Sequence, residues 1–281
     1  AHCYGKLNLW ERSVEDYLIA LDLVPGNPLA HFNCALALEH LFEYDLALDS
    51  MNAALECAPG HDIAEEKIIE IRLSRAFLFR KLQRNQDALQ EYGTILTLDP
   101  SNVKALYNRG SVLAVLGKHE MAVQDFTAAI VLEPQNPKLY HNRGASLDKL
   151  GRYEDSLQDF LHVLDLDEHP SGTVFHQLSV VYSHLGNQEH AIRYADLSLE
   201  EDSSNPSFYL NRGLIQISRG EPDLAVEDLT AAIEMGVKSK VLAYTSRGHV
   251  FRTLQLYDEA VDDFTQAVIL EPEKVKHFHS Q

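Results

Sequence analysis

The amino-acid sequence predicts an all-α protein built from helical hairpins that stack along the chain. Small residues recur at intervals of 34 or 35 residues, with one interval of 41, and a second row of small residues follows 12 positions later. With Val103 to Asn136 numbered as positions 1 to 34, position 8 holds Ala35, Ala76, Gly110, Gly144, Ser179, Gly213 and Gly248. Position 20 holds Ser13, Ala47, Ala88, Ala122, Ser156, Ala191, Ala225 and Ala260.

Each unit is predicted to be two amphipathic helices joined by a tight turn, because apolar residues recur at i, i+3, i+4 and i+7. Gly117, Gly151, Gly186 and Gly220 mark the turn, and a recurring proline near the end of the unit stops the second helix. Small residues at positions 8 and 20 let the two helices approach closely, and a mostly large residue at position 24 fills the space between them. One hairpin cannot bury its apolar face alone, so we expect the units to stack.

The segment ALYNRGSVLAVLGKHEMAVQDFTAAIVLEP resembles the tetratricopeptide repeat (TPR) family at nearly every signature position. The resemblance extends over essentially the whole chain and implies a right-handed superhelical solenoid of helix-turn-helix units, forming one domain over 1–281. The predicted parts are a partial repeat at 1–27, full repeats at 28–61, 62–102, 103–136, 137–171, 172–205, 206–240 and 241–274, and the start of a further helix at 275–281.

The interval of 41 residues predicts a long first helix in the repeat 62–102. Asp62 and Glu65 have the spacing of a capping box, and we expect a helix from Ala64 to Leu82 that adds about two turns before Ile69. The chain also opens inside a repeat and ends without a polar capping repeat. We therefore expect a segment of a longer solenoid, or one whose ends other chains cover.

Positions 7 and 23 vary together. Four repeats have Arg with Asp and a fifth has Arg with Glu, whereas the repeats with Cys34 and Leu178 at position 7 also lack the acid. We expect a bidentate bridge within each repeat, because pairing with the preceding repeat would set Arg212 against Tyr194. A row of arginines that binds anions is the alternative. The predicted structural pairs are Arg75 with Glu91, Arg109 with Asp125, Arg143 with Asp159, Arg212 with Asp228, and Arg247 with Asp263.

The composition excludes several classes of partner. The 24 Lys and Arg residues against 42 Asp and Glu give a net charge of −18, which disfavours binding to nucleic acid or to an anionic membrane surface. No apolar run approaches the roughly 18 residues needed to span a bilayer, so we expect no membrane insertion. The three cysteines are an odd number, which favours a reducing compartment. We expect the cytoplasm, with the cilium or cytoskeleton as a narrower alternative.

No group of residues predicts catalysis or a metal site. Gly110 and Gly117 with Lys118 imitate a phosphate-binding loop, but six residues separate the glycines where the motif has four. His277 and His279 are a close pair, for which a frayed terminus is the simpler interpretation. The chain has neither His-Glu-x-x-His nor Cys-x-x-Cys. We therefore predict a protein that is not an enzyme and holds no metal and no cofactor.

The resemblance implies that partners bind mostly on the concave face, at positions 2, 5, 9, 12 and 13 of the first helices. These positions are basic, with His and Tyr, from Arg80 to His184, and apolar in the repeat that begins at Pro206. We expect a groove for an acidic peptide segment with an apolar anchor, and a solvated face with scattered charge is the alternative. The candidate binding residues are Arg80, Lys81, Lys104, Tyr107, Lys138, His141, Lys149, His176, His184, Leu210, Leu214 and Ile217.

These patterns favour a non-enzymatic protein–protein interaction scaffold that organises a multiprotein complex through its groove and surfaces. Its partners would be other proteins, either an acidic peptide segment or neighbouring subunits. Two alternatives remain: a targeting or substrate-recruiting arm of a larger enzyme, and a permanent structural subunit of a large particle such as a ciliary or axonemal assembly. The clamp for chaperone tails found in some TPR proteins is not expected, because no repeat has Lys at position 5.

Overall fold

The computed structural model describes Tyr4 and residues 6–271, and this part of the chain contains fifteen α-helices, one short 3₁₀-helix and no strand. The chain divides into two compact units, unit 1 from Ala1 to Gln135 and unit 2 from Asn136 to Gln281. Unit 1 contains α1 (Trp10–Leu23), α2 (Pro28–His40), α3 (Tyr44–Cys57), α4 (Glu65–Lys81), α5 (Asn85–Leu98), α6 (Val103–Val115) and α7 (His119–Leu132). Unit 2 contains α8 (Pro137–Lys149), α9 (Tyr153–Leu166), α10 (Gly172–His184), α11 (Gln188–Glu201), α12 (Pro206–Arg219), α13 (Pro222–Glu234), α14 (Lys240–Thr253) and α15 (Tyr257–Leu270).

Both units follow one packing rule. A first helix packs against its own second helix, as α4 does against α5 and α10 against α11, and each second helix packs against the next first helix of its unit. The predicted all-α fold of stacked helical hairpins is therefore confirmed. The single domain over 1–281 and its repeat boundaries stay predictions. The expected helix start at 275–281, with His277 and His279, lies outside the described residues.

Asparagine caps set where four of the first helices begin. Each cap has an extended backbone, and its side-chain oxygen accepts a hydrogen bond from a backbone N–H of the first turn. Three of the four caps precede a proline, whose fixed φ suits the first helical position. The caps are Asn27, Asn102, Asn136 and Asn205.

The turn between the two helices of a hairpin places one residue in the left-handed region. Gly117, Gly151, Gly186 and Gly220 occupy it with φ between 72° and 76°, as predicted. In other repeats Phe42, Gln83 and Gln255 adopt the same conformation, although a side chain makes it less favourable. The hairpin therefore imposes this turn even where the sequence carries no glycine signal.

The helix predicted from Ala64 to Leu82 is observed as α4, whose 17 residues make it the longest described helix. The predicted capping box was wrong: the N-cap is Ala64, and no side chain caps the helix. The prediction of two added turns was also too large, since α4 begins only four residues, about one turn, before Ile69. Much of the remaining inserted length lies in the 3₁₀-helix Ala58–Gly60 and the link that follows it.

In the four repeats with glycine at position 8, the two helices of the hairpin are in close contact at that residue. A Cβ atom on Gly110 would lie 2.9 Å from Cε1 of Phe126, and one on Gly248 would lie 3.0 Å from Cε1 of Phe264. The aromatic ring of the second helix thus packs against bare backbone of the first. This contact explains why a small residue at position 8 accompanies a large one at position 24.

The arginines at position 7 bind the carboxylate at position 23 of their own repeat. In Arg109, Nε lies 2.8 Å from Oδ2 and Nη2 lies 2.6 Å from Oδ1 of Asp125. The same bidentate geometry joins Arg143 to Asp159, Arg212 to Asp228 and Arg247 to Asp263. Glu91 is shared between Arg75 and Arg72. The carboxylates are buried, whereas the arginines remain partly exposed.

The third guanidinium nitrogen reaches the preceding repeat, which the sequence analysis did not predict. Nη1 of Arg75 donates to Oδ1 of Asn52 at 3.0 Å, and Nη1 of Arg212 donates to Oδ1 of Asp196 at 2.8 Å. Nη1 of Arg247 donates to Oγ1 of Thr230 at 2.8 Å. All three acceptors lie at position 25 of the preceding repeat. One arginine therefore holds together both helices of its own hairpin and the second helix of the hairpin before it.

Position 25 varies with the residue that faces it. Gly93 stands at position 25 before Arg109 and has no side chain that could accept the hydrogen bond. Before Leu178, which is fully buried, the position holds Leu161. A polar residue thus stands at position 25 before four of the five arginines, and an apolar residue stands there before this leucine. The covariation of positions 7 and 23 therefore extends to a third helix.

We expect the substitution Asp125→Asn to lower the free energy of unfolding by about 2–3 kcal/mol, because the amide NH2 would face the Arg109 guanidinium in a buried site. Chemical denaturation followed by circular dichroism measures this loss. Asp87→Asn is the matched control, since Asp87 pairs with Arg84 in an exposed i, i+3 pair and should contribute less than about 0.5 kcal/mol. Equal effects of the two substitutions would contradict a structural role for the buried carboxylate.

The contact between repeats can be tested at position 25. Thr230→Val keeps the shape of the side chain and removes the acceptor for Arg247, so we expect a loss of about 1–2 kcal/mol, the usual contribution of a hydrogen bond to a charged group. Faster hydrogen exchange in α14 would report it. Thr265→Val is the control, because Thr265 lies at the same position of the last repeat and its hydroxyl bonds to the Val261 carbonyl. A change in α14 that is no larger than the control's would exclude this role for Thr230.

Candidate peptide-binding faces

Within 6–271, no helix combines the length and the apolar character that crossing a bilayer requires. Three or more His, Cys, Asp or Glu side chains do not come together at any metal-like site in the same region. The candidate functional surfaces predicted from the sequence are the first-helix faces, which are the sides of the first helices that carry positions 2, 5, 9, 12 and 13.

In unit 1, the first-helix face contains an open cavity of about 530 Å³ between α4 and α6. We call it the α4–α6 cavity. Its lining combines two cations with an apolar floor and with polar groups from the turn that follows α4. The lining residues are Phe77, Arg80, Lys81, Gln83, Asn85, Ser111, Val112 and Val115.

Arg80 and Lys81 reach this cavity from the last turn of α4. Nη1 of Arg80 donates to Oδ1 of Asn108 at 2.8 Å, which fixes the guanidinium beside α6. Burial raises the pKa of the Tyr92 hydroxyl, and the charge of Arg80 and its hydrogen bond to that hydroxyl oppose the rise. The Nζ atom of Lys81 lies 5.1 Å from the centroid of the Phe77 ring. Both cations are thus positioned by neutral groups.

The charge of Lys81 also affects the pKa of Glu39 in the preceding repeat. Burial raises the pKa of the Glu39 carboxyl, and the nearby His40 and Lys81 oppose that rise.

Lys104 and Tyr107 lie on α6, which is the next first helix of unit 1. Lys104 is exposed, and its backbone carbonyl accepts a hydrogen bond from Nδ2 of Asn108. Tyr107 is half-buried, with its ring 6.2 Å from that of Phe126.

In unit 2, two of the candidate histidines contribute aromatic surface instead of charge. His176 stacks on Phe208 at 5.0 Å between ring centroids, and burial lowers its pKa to about 4. Burial also lowers the pKa of His141, whose ring meets the Phe160 ring edge-on. Both imidazoles are therefore neutral at pH 7. Their rings pack against aromatic rings of neighbouring helices, so the basic character of the face comes from its lysines and arginines.

Lysines and one exposed histidine carry the polar part of the unit 2 face. Lys138 is exposed at the start of α8. Lys149 ends the same helix, and its Nζ lies 3.2 Å from Oδ2 of Asp148. Asp148 is buried, and its Oδ1 has no hydrogen-bond partner. His184 is exposed and stacks on Tyr153 at 4.5 Å between ring centroids.

The apolar candidates of α12 differ in accessibility. Leu210 is only 7% exposed and belongs to a core cluster with Leu229 and Val237. Leu214 packs against the same cluster, whereas Ile217 is 37% exposed. Leu210 is thus a core residue, and the expectation that it anchors a ligand was wrong. Leu210 and Ile217 are equally apolar, so hydropathy alone does not distinguish the buried residue from the exposed one.

The structure also places residues in the α4–α6 cavity that sequence reasoning did not select. Gln83 and Asn85 line it because the left-handed residue at Gln83 turns the chain back beside α4. Val115 lies at position 13 of the face, where α4 has Lys81, and 79% of it is exposed.

The pKa of His176 makes unit 2 sensitive to pH. An unfolded histidine titrates near 6.5, so between about pH 6.5 and 4 the unfolded chain binds a proton that the folded one does not. Stability should therefore fall as the pH drops, by about 2 kcal/mol between pH 7 and 5. Denaturation curves at both pH values should show a smaller loss in the variant His176→Phe. The same loss in both proteins would show that His176 is not buried as a neutral ring.

Comparison with known proteins supports a single family. Three family models described as tetratricopeptide repeat match residues 103–136, residues 1–62 and 210–274, and residues 126–158. A TPR repeat-containing protein, MJ1428, from Methanocaldococcus jannaschii is 41% identical over 61 residues, which are 22% of this chain and 11% of that protein. The match thus spans about a tenth of that relative's length.

Solved structures share the fold. A tetratricopeptide repeat protein from Parabacteroides merdae aligns with a TM-score of 0.63 at 21% identity, over 92% of this chain and 95% of its own. PilW, a type IV pilus biogenesis factor, aligns with a TM-score of 0.67 at 17% identity, over 73% of this chain and 94% of its own. YrrB, described as a TPR protein with an unusual peptide-binding site, aligns with a TM-score of 0.52 at 16% identity, over 67% of this chain and 96% of its own. The family models, the stacked hairpins and these neighbours agree: the chain belongs to the tetratricopeptide repeat family.

Proposed function

We propose that this chain is a non-enzymatic scaffold that binds acidic segments of partner proteins on its first-helix faces and so helps to assemble a multiprotein complex. Members of this repeat family are generally non-catalytic interaction modules. The free thiols Cys34 and Cys57 agree with action in a reducing compartment such as the cytoplasm. The enzyme-arm and structural-subunit alternatives stay predictions, as does the absence of a nucleic-acid partner.

The observation that carries this proposal is the sorting of charge between first and second helices. In unit 2, α9, α11, α13 and α15 carry four acidic residues each, and Arg193 is their only Lys or Arg. The first helices of the same unit contain one acidic residue, Asp148, and several cations. In a chain of net charge −18, the first helices of unit 2 are therefore much less acidic than its second helices.

This sorting favours an acidic partner on one side of each hairpin and repels it on the other. Exposed Lys104 in unit 1 and exposed Lys138 in unit 2 are two of the face cations that form no ion pair with a carboxylate of the described residues. Several arginines of these helices already bind buried aspartates and are not available. A partner would thus be recognised by a few unpaired lysines and by aromatic surface beside them.

Charge reversal of the two lysines tests the proposal. The double variant Lys104→Glu with Lys138→Glu should retain markedly less of the partners that the unmodified chain captures, as measured by affinity purification with crosslinking mass spectrometry. Lys118→Glu with Lys238→Glu is the control, because both residues are exposed outside the first helices and the charge change is equal. Equal retention by the two double variants would contradict binding on the first-helix faces.

A further inference from the structure

Two neighbouring cations in unit 1, Arg80 and Lys81, have no carboxylate of the described residues within ion-pair distance, although the charge of Lys81 acts on the more distant Glu39 carboxyl. Among the described residues of this unit, Arg72, Arg75, Arg84 and Arg109 each pair with a carboxylate, and Lys67 pairs with Glu70. Within the same residues, no carboxylate lies in ion-pair distance of Arg80 or Lys81. The two side chains are nevertheless held in place, by Asn108 and by the Phe77 ring.

The surface beside these cations is apolar and open. Phe77 and Val112 form the floor of the α4–α6 cavity, and Val115 borders it with most of its side chain exposed. A volume of about 530 Å³ is sufficient for two or three side chains of a bound peptide. The cavity thus combines two adjacent positive charges with exposed apolar surface. This combination is complementary to a ligand that carries a negative charge next to an apolar group.

We propose that the α4–α6 cavity holds an anionic side chain of the partner between Arg80 and Lys81, with a neighbouring apolar side chain of the same segment on Val112 and Val115. The anion is a carboxylate or a phosphate, since a guanidinium donates to the oxygens of either. The inference rests on the proposed function and narrows it to one sequence feature: an acidic residue next to an aliphatic or aromatic one. The equivalents of Arg80 and Lys81 on α6 are Ala114 and Val115, so within unit 1 the feature is specific to this cavity.

A random dodecapeptide library displayed on phage and selected on the immobilised 281-residue chain provides the probe. Selected peptides should be enriched in Asp or Glu beside Leu, Ile, Val or Phe. One enriched peptide is then synthesised in three forms, with Glu, phosphoserine or Gln at the acidic position, and its affinity is measured by fluorescence polarisation. The Gln form should bind at least about tenfold more weakly than one of the other two, the usual effect of losing a charge-assisted hydrogen bond. The stronger of the Glu and phosphoserine forms identifies the anion.

Variants of the chain locate the site. Lys81→Gln should weaken the anionic peptide about tenfold and leave the Gln peptide unchanged, and Val115→Gln should weaken both forms. These residues are exposed, so their replacement does not disturb the core. Arg84→Gln is the control, because Arg84 lies in the same turn but outside the cavity lining and should change neither affinity.

The results distinguish a failure of this inference from a failure of the proposed function. Enriched peptides without an acidic and apolar pair, or peptides whose binding is the same in Lys81→Gln as in Arg84→Gln, overturn this inference and leave the proposed function standing. A library that yields no binder overturns the proposed function, and this inference with it.

Discussion

In five of the seven full repeats, an arginine at position 7 joins the two helices of the hairpin, and Arg75, Arg212 and Arg247 also bind the preceding hairpin. The planar guanidinium gives two hydrogen bonds to the buried carboxylate of its own hairpin and, from the third nitrogen, one to the preceding hairpin, as Arg212 does with Asp228 and Asp196. A lysine could not replace it, because an ammonium group lacks the fixed fork that serves three helices at once. Desolvating the carboxylate is costly, so the pair contributes more to the unique alignment of helices than to net stability. In these repeats one side chain therefore contributes both to the hairpin geometry and to the stacking.

The sequence revealed part of this arrangement because the residues at positions 7 and 23 change together within one chain. It did not reveal the third contact, since Asn52, Asp196 and Thr230 share only an acceptor oxygen, which no hydropathy or spacing pattern records. The left-handed turns were predicted where glycine occupies them and missed at Gln83, because there the packed hairpin, and not the residue, determines the backbone.

The candidate site was less predictable than the fold for a related reason. Whether a first-helix residue faces solvent or core depends on the neighbouring helix, so Leu210 and Ile217 read alike in sequence but differ in burial. The same limit applies to charge. The sequence does not show whether a histidine is protonated, whereas the structure shows that His176 packs against Phe208, where burial keeps it neutral at pH 7. Fold prediction needed only the period of the repeat, whereas the site required knowledge of which side chains touch.

The structural use of arginine also shapes recognition. When aspartates and glutamates of the second helices bind the position 7 arginines, those cations are lost to partners, and the remaining acids face outward on the second helices. Positive potential can then survive only where a first helix carries cations beyond position 7. Arg80 and Lys81 meet this condition at the end of α4, where the longer helix is followed by a turn without glycine. Under the proposed function, the interaction that aligns the repeats thus limits the cations that are available to an acidic partner.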